Sequence, residues 1–227
     1  MFTEFIKTYS LFSFLESYSG KTKFLLDQVL KDQNIPDWKE YLRFYLKLTS
    51  GLISPDRKGH LTLTIVEDDK IQETLSFIDR IVVDNSISPD DIDFIQFRIK
   101  PIYKLEERKY RILSPLFTCE KIFHGLYFQL NKINNKLRNN NNIYISEDFR
   151  GFYCSKFTEE YLFYQIMDRT FPGKYFSQLS GKSIRQGGVK GEPDYYVRDQ
   201  NVLFLFESKD VLINKNIKQS NDFVEKK

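Results

Sequence analysis

Apolar side chains in the first fifty residues recur at steps of three and four. In KTKFLLDQVLKDQ, Phe24, Leu25, Val29 and Leu30 fall at helical spacing, and in DWKEYLRFYLKLTSG so do Trp38, Tyr41, Leu42, Phe44, Tyr45 and Leu48. Pro36 suits a first helical turn and Gly51 a stop. The step then shortens to two. In HLTLTIVE, Leu61, Leu63 and Ile65 alternate with His60, Thr62 and Thr64, which predicts a half-buried strand. IQETLSFIDRIV returns to a helical step, and SPDD at 88–91 reads as a turn or cap. DFIQFRIKPIYKLEERKYRILSP predicts strand, turn and strand, with Glu106-Glu107-Arg108 at the bend. FTCEKIFHGLYFQLNKINNKL predicts one long amphipathic helix, with Gly125 its weakest position.

The asparagine tract in LRNNNNIY reads as a solvated loop and sets a domain boundary, giving residues 1–142 as a mixed, mainly helical accessory domain and 143–227 as a second domain. Past it, SEDFRGFYCSKFTEEYLFYQIMDRTF is mostly helical. Ser146 or Ser155 would cap its segments, and Phe171-Pro172-Gly173 ends it. KYFSQLSGKSIRQGG offers a strand near Tyr175 and a glycine-containing loop. EPDYYV and NVLFLFESK are two strands joined by RDQN. The fold class expected is α/β, of the α+β kind.

Composition changes this picture little. The chain is 41% hydrophobic and 16% aromatic, enough for a sizeable core and against global disorder. A net charge of +3 is too mild to demand a nucleic-acid partner and permits one only if the basic residues cluster. Cys119 and Cys154 lack metal-ligand spacing and read as reduced thiols of a cytoplasmic protein. His60 and His124 stand alone. The opening MFTEFIKTYSLFSFLESYSG is interrupted by Glu4, Lys7 and Glu16, so it predicts neither a signal peptide nor a membrane span, and no membrane partner is expected.

The chemistry concentrates at the last two strands. Glu207 and Lys209 end the apolar run Val202–Phe206, and charge at the end of a buried strand survives only if it is paired or binds a metal. A hairpin turning on Asp199-Gln200 sets Arg198 opposite Asn201 and Asp194 opposite Leu205. Asp194 is then diagonal to Glu207 on one face, with Lys209 beside it. Such a carboxylate pair suits Mg²⁺, or Mn²⁺, whose acidified water attacks a phosphodiester. Lys209 would orient that water and offset charge building on phosphate. The alternative is a strand-end ion pair with no catalytic role. Lys182, Arg185 and Lys190, in the glycine-interrupted GKSIRQGGVKGEPD, would meet a nucleic-acid backbone, or else belong to a solvated loop.

Pro193-Asp194, a gap, and Glu207-Ser208-Lys209 resemble the PD-(D/E)xK nuclease superfamily. The resemblance covers about the last eighty residues. It implies a restriction-endonuclease-like core: helix, three-stranded meander, helix and a further strand. It also implies a metal-dependent endo- or exonuclease acting on nucleic acid, above all DNA, in defence against foreign DNA. Two copies, or a larger defence or repair complex, would cut both strands. Glu160, on the Phe157–Phe171 helix, matches the family's helical glutamate and would join Asp194 and Glu207 at the metal, with Glu159 in reserve. A second helix would start near Val211, with Gln219 turned to the site. The chain stops at Lys227, before the family's last strand, which implies a continuation or a strand lent by residues 1–142. The rival function is an inactive nuclease-like module for nucleic-acid binding or protein assembly.

Overall fold

The structure is a computed structural model that describes residues 2–53, 55–56, 59–83, 94–188, 191 and 193–208. The chain is a mixed α+β protein dividing into two compact units, 1–149 and 150–227.

The first unit opens with helices α1 (Phe2–Ser17), α2 (Gly20–Asp32) and α3 (Trp38–Ser50). Ser19 starts α2 through a reciprocal box: its hydroxyl accepts the Thr22 amide, and the Thr22 hydroxyl accepts the Ser19 amide at 3.0 Å. Asp37 caps α3 by accepting the Lys39 and Glu40 amides at 2.8 and 3.0 Å. Pro36 therefore precedes the cap and lies outside the helix, one turn position earlier than its residue type suggested. The buried face of α3 carries Tyr41, Phe44 and Tyr45, which meet Phe77 of α4 (Ile71–Asp79) with ring centroids 5.0–5.7 Å apart.

Strands β1 (Thr62–Thr64), β2 (Ile102–Glu106) and β3 (Lys109–Ile112) form an antiparallel sheet in the order β1-β3-β2, with Leu63 opposite Tyr110. Gly51 ends α3 as its C-cap, as expected, and it also serves this sheet. Its backbone is right-handed, and a Cβ there would lie 2.9 Å from Leu63 Cβ, so the helix end can touch β1 only without a side chain. Residues Phe94–Ile99, expected as strand, form a short helix α5. FIQFRI has too few residues to separate the two periods, and Pro101 keeps Lys100 out of helical geometry and so splits α5 from β2. Residues 88–91 lie outside the described ones.

The long helix expected after Ser114 forms as α6 (Pro115–Glu120), a π-helical turn (Lys121–Gly125) and α7 (Leu126–Asn139). The boundary between units falls after Phe149 rather than after residue 142. The cause is Asn134, fully buried on α7. Its amide donates to Ser146 O and accepts the Ile145 amide, both at 2.9 Å, so the chain past the asparagine tract is tied back to the first unit.

The second unit runs from α8 (Phe149–Phe152) into an eleven-residue π-helical segment (Tyr153–Phe163) and α9 (Tyr164–Thr170). Strands β4 (Ser177–Ser180), β5 (Tyr195–Asp199) and β6 (Val202–Phe206) follow as an antiparallel meander in the order β4-β5-β6. The stretch expected as a loop after β4 is a helix, α10 (Gly181–Gln186), because the Ser180 hydroxyl caps it by accepting the Ser183 amide at 3.2 Å. Tyr195 and Val197, 1% and 0% exposed, pack with Tyr164 and Met167 of α9. Each such burial is worth roughly 1.5–3 kcal/mol. β6 departs from its expectation as a central strand covered on both faces. Among the described residues it is the sheet edge, with Val202, Leu203, Phe204 and Leu205 exposed by 54, 51, 45 and 60%.

Candidate functional site

The β5–β6 ladder decides where the acidic residues meet. Its register pairs Tyr195 with Phe206, Val197 with Phe204 and Asp199 with Val202. The loop is therefore Gln200-Asn201, not Asp199-Gln200, and Gln200 takes the left-handed backbone at φ 51°. The whole register moves by two residues, so side-chain parity survives. One step beyond the last pair sets Asp194 directly across from Glu207 instead of diagonal to it. Directly opposed positions bring Cβ atoms to about 4.5–5.5 Å, closer than the diagonal.

Asp194 is held from two directions and lies near a third group, Tyr164. Its carboxylate Oδ2 accepts the Ser208 amide at 2.6 Å, so the backbone of Glu207-Ser208 folds onto it. Its carbonyl accepts the Gly181 amide at 2.8 Å, continuing the β4–β5 ladder by one step. Gly181 also lies flat against this segment: a Cβ there would meet Pro193 O at 2.6 Å and Asp194 Cα at 3.2 Å. Third, Asp194 lies near enough to Tyr164 to act on it. Burial first, then the Glu159 carboxylate that its hydroxyl donates to, push the Tyr164 phenol well above its usual value, and the Asp194 charge adds to that shift.

The helical glutamates divide between two settings. Glu160 Oε1 accepts Lys156 Nζ at 2.5 Å and Oε2 accepts Lys182 Nζ at 2.8 Å. Burial raises its carboxyl, but these two lysines outweigh burial and hold it below the usual value. Glu159 instead accepts the Tyr164 hydroxyl at 2.7 Å and shares a cavity of about 190 Å³ with Cys154, Thr158 and Ser208. The π-helical step explains the pairing. The Tyr164 amide bonds back to Glu159 O, five residues earlier, so positions 159 and 164 lie above one another. Thus the structure brings Asp194, Ser208, Tyr164 and Glu159 into one neighbourhood and ties Glu160 to Lys182. Reading the segment at 3.6 residues per turn selected Glu160 and missed the Glu159–Tyr164 pair. The Lys156/Glu160 spacing of four was the visible signal that Glu160 had a lysine of its own.

Lys182 and Arg185 are exposed on α10, and Lys182 is engaged by Glu160. Lys190, Lys209, Val211 and Gln219 lie outside the described residues. Among the described residues no group of three or more His, Cys, Asp or Glu side chains gathers where one ion could be held. The donor set on offer to a divalent cation is therefore the opposed pair Asp194 and Glu207. That is enough for an ion that takes one or two carboxylates and keeps its waters. Both cysteines are free thiols, and no described helix is long and apolar enough to cross a membrane. The chain matches no protein-family profile, no curated protein and no solved structure.

Proposed function

We propose that the second unit is a metal-dependent nuclease, hydrolysing phosphodiester bonds of nucleic acid, with DNA the first substrate to try. The observation that carries this reading is the β5–β6 register, which sets Asp194 across from Glu207 with the Ser208 amide on the aspartate. A helix followed by an antiparallel meander is also the order that a restriction-endonuclease-like core begins with.

Asp194 and Glu207 are the residues that would hold Mg²⁺ or Mn²⁺. When bound, the ion supplies an acidified water and neutralises charge on the phosphate. The Ser208 amide fixes one Asp194 oxygen and leaves the other to face outward chemistry. Lys209 carries the role of holding the attacking water. Tyr164, its proton retained at neutral pH, keeps Glu159 turned inward beside Asp194. Lys182 and Arg185, with Lys190, are the cations offered to the nucleic-acid backbone, Lys182 by exchanging Glu160 for phosphate. Service in defence against foreign DNA, in the cytoplasm and through a paired or larger assembly, belongs to the same proposal.

The test incubates plasmid DNA, single-stranded DNA and RNA with Mg²⁺ or Mn²⁺. Asp194→Ala and Lys209→Ala are each expected to lower cleavage by about 100-fold. Cleavage undiminished in both variants ends the proposal. The pairing of Glu160 with two lysines favours one second reading, a nuclease-like module that binds nucleic acid without cutting it. Calorimetric titration with Mn²⁺ separates the two, since only the nuclease reading requires metal binding that Asp194→Ala removes.

A further inference from the structure

The first unit carries a cavity of about 410 Å³ beside the π-helical turn, within the range of about 300–1,000 Å³ usual for small-molecule sites. Three cations line it, Arg80, Lys121 and Lys132, and among the described lining residues there is no carboxylate. Several Lys and Arg heads in this unit have acidic partners, such as Lys47 with Asp68, Lys70 with Glu40 and Arg98 with Glu120. Among the described residues Arg80, Lys121 and Lys132 show none. Lys121 is the telling case, because it is half-buried; burial, and then the neighbouring Arg98 guanidinium, push its ammonium below the usual value. A desolvated charge without a partner is costly, and an anion would relieve that cost.

The rest of the wall is not a general anion site. Tyr45, Phe77 and Phe128 present rings, with Phe128 57% exposed at the rim, and Ile81 and Ile99 add aliphatic surface. Gln33 and Gln129 both line the cavity and are joined by one hydrogen bond, Gln33 Nε2 to Gln129 Oε1 at 2.5 Å. That leaves the Gln33 oxygen as acceptor and the Gln129 amino group as donor, side by side. A planar ring with adjacent donor and acceptor, such as the edge of adenine, matches that pair. A second cavity of about 260 Å³ shares Gln33, Phe77 and Arg80, giving room for a sugar beside the ring.

We propose that this cavity binds a nucleoside monophosphate, with its base against the rings and the Gln33–Gln129 amides and its phosphate on Lys121, Arg80 and Lys132. The claim stands on the first unit alone and is independent of any nuclease activity in the second.

The experiment titrates the full chain calorimetrically with AMP, and in separate arms with adenosine and with inorganic phosphate. AMP is expected to bind at least about tenfold more tightly than either part alone, because ring and charge contribute together. Lys121→Met, which keeps the aliphatic stem, and Lys132→Gln, at an exposed position, are each expected to weaken AMP by about tenfold. Melting curves of both variants guard against misfolding, and Lys132→Gln has no buried contact to lose. No AMP binding at about 1 mM, or binding unchanged by both substitutions, overturns the proposal.

Discussion

Gly20 and Gly181 occupy equivalent positions. Each is the first residue of a helix capped by the serine before it, Ser19 for α2 and Ser180 for α10. Neither has a left-handed backbone. Local reasoning therefore predicts the same effect for Ala at both: a stabilisation of about 0.4–1 kcal/mol, from the smaller freedom of the unfolded chain. Their surroundings differ. An alanine Cβ at Gly20 meets nothing within 4 Å, whereas at Gly181 it would sit 2.6 Å from Pro193 O and 3.1 Å from Asp194 O. Those atoms are backbone, so relief requires the Pro193–Asp194 segment to move, and such overpacking costs about 1–3 kcal/mol. Gly20→Ala should gain stability and Gly181→Ala should lose roughly 0.5–2 kcal/mol, opposite signs from one substitution. Because the chain has two units, hydrogen exchange followed peptide by peptide is the assay, read over 20–32 for one variant and 193–199 for the other. If the proposed site is catalytic, Gly181→Ala also lowers cleavage by about tenfold or more through a displaced Asp194, although it touches no substrate. Equal protection gains in both variants would refute the close approach and, with it, the claim that β4 and α10 position Asp194.

Glu160 is favoured in its ionised form by the folded state, so its contribution is complete above the ordinary carboxylate range and is lost as pH falls through its lowered folded value. With Lys156 and Lys182 36% and 53% exposed, solvent screening limits it to about 0.5 kcal/mol, and Glu160→Gln should close the gap to wild type below about pH 4 in urea melts. Lys121 has the opposite sign: its charge is a penalty below the lowered folded value that fades as pH rises towards the free-lysine range. Lys121→Met should therefore raise the melting temperature at pH 7 while it weakens AMP binding. Asn134→Ala removes both bonds to the 145–146 segment from a fully buried position; it should cost roughly 2 kcal/mol and speed amide exchange over 143–148.

Long periodic segments were legible because one period dominates them. Trp38–Ser50 and Ile71–Asp79 repeat their apolar positions often enough to exclude a strand, and buried Leu63 and Ile65 alternate with exposed Thr64 and Val66. Phe94–Ile99 was misread because six residues fit either period. Asn134 was invisible for a different reason: nothing in an asparagine-rich stretch distinguishes the one residue whose amide is buried and doubly bonded from those that face water. The nucleotide-sized cavity was equally hidden, since Gln33, Phe77 and the pair Lys121 and Gln129 come from three separate stretches and carry no motif.

The same-face placement of Asp194 and Glu207 survived a wrong turn assignment, and the reason is parity. Moving the loop from Asp199-Gln200 to Gln200-Asn201 shifts the pairing by two residues, and a strand returns to the same face every two. A shift of one would have separated Asp194 from Glu207 altogether. The helical glutamate enjoyed no such protection. A helix has no exact return after a small step, so widening the turn from α to π over Tyr153–Phe163 rotates every later side chain relative to an α-helical projection. Glu159 then stacks under Tyr164 near Asp194, and Glu160 turns to Lys156 and Lys182. The same comparison separates what the two carboxylates can do. Glu160 is paired with two ammonium groups and is best suited to holding α10 against the helix, whereas Glu159 accepts a phenol and lines the cavity that Ser208 shares. Glu159→Gln should thus impair cleavage more than Glu160→Gln does, and the reverse order would return the metal-assisting role to Glu160.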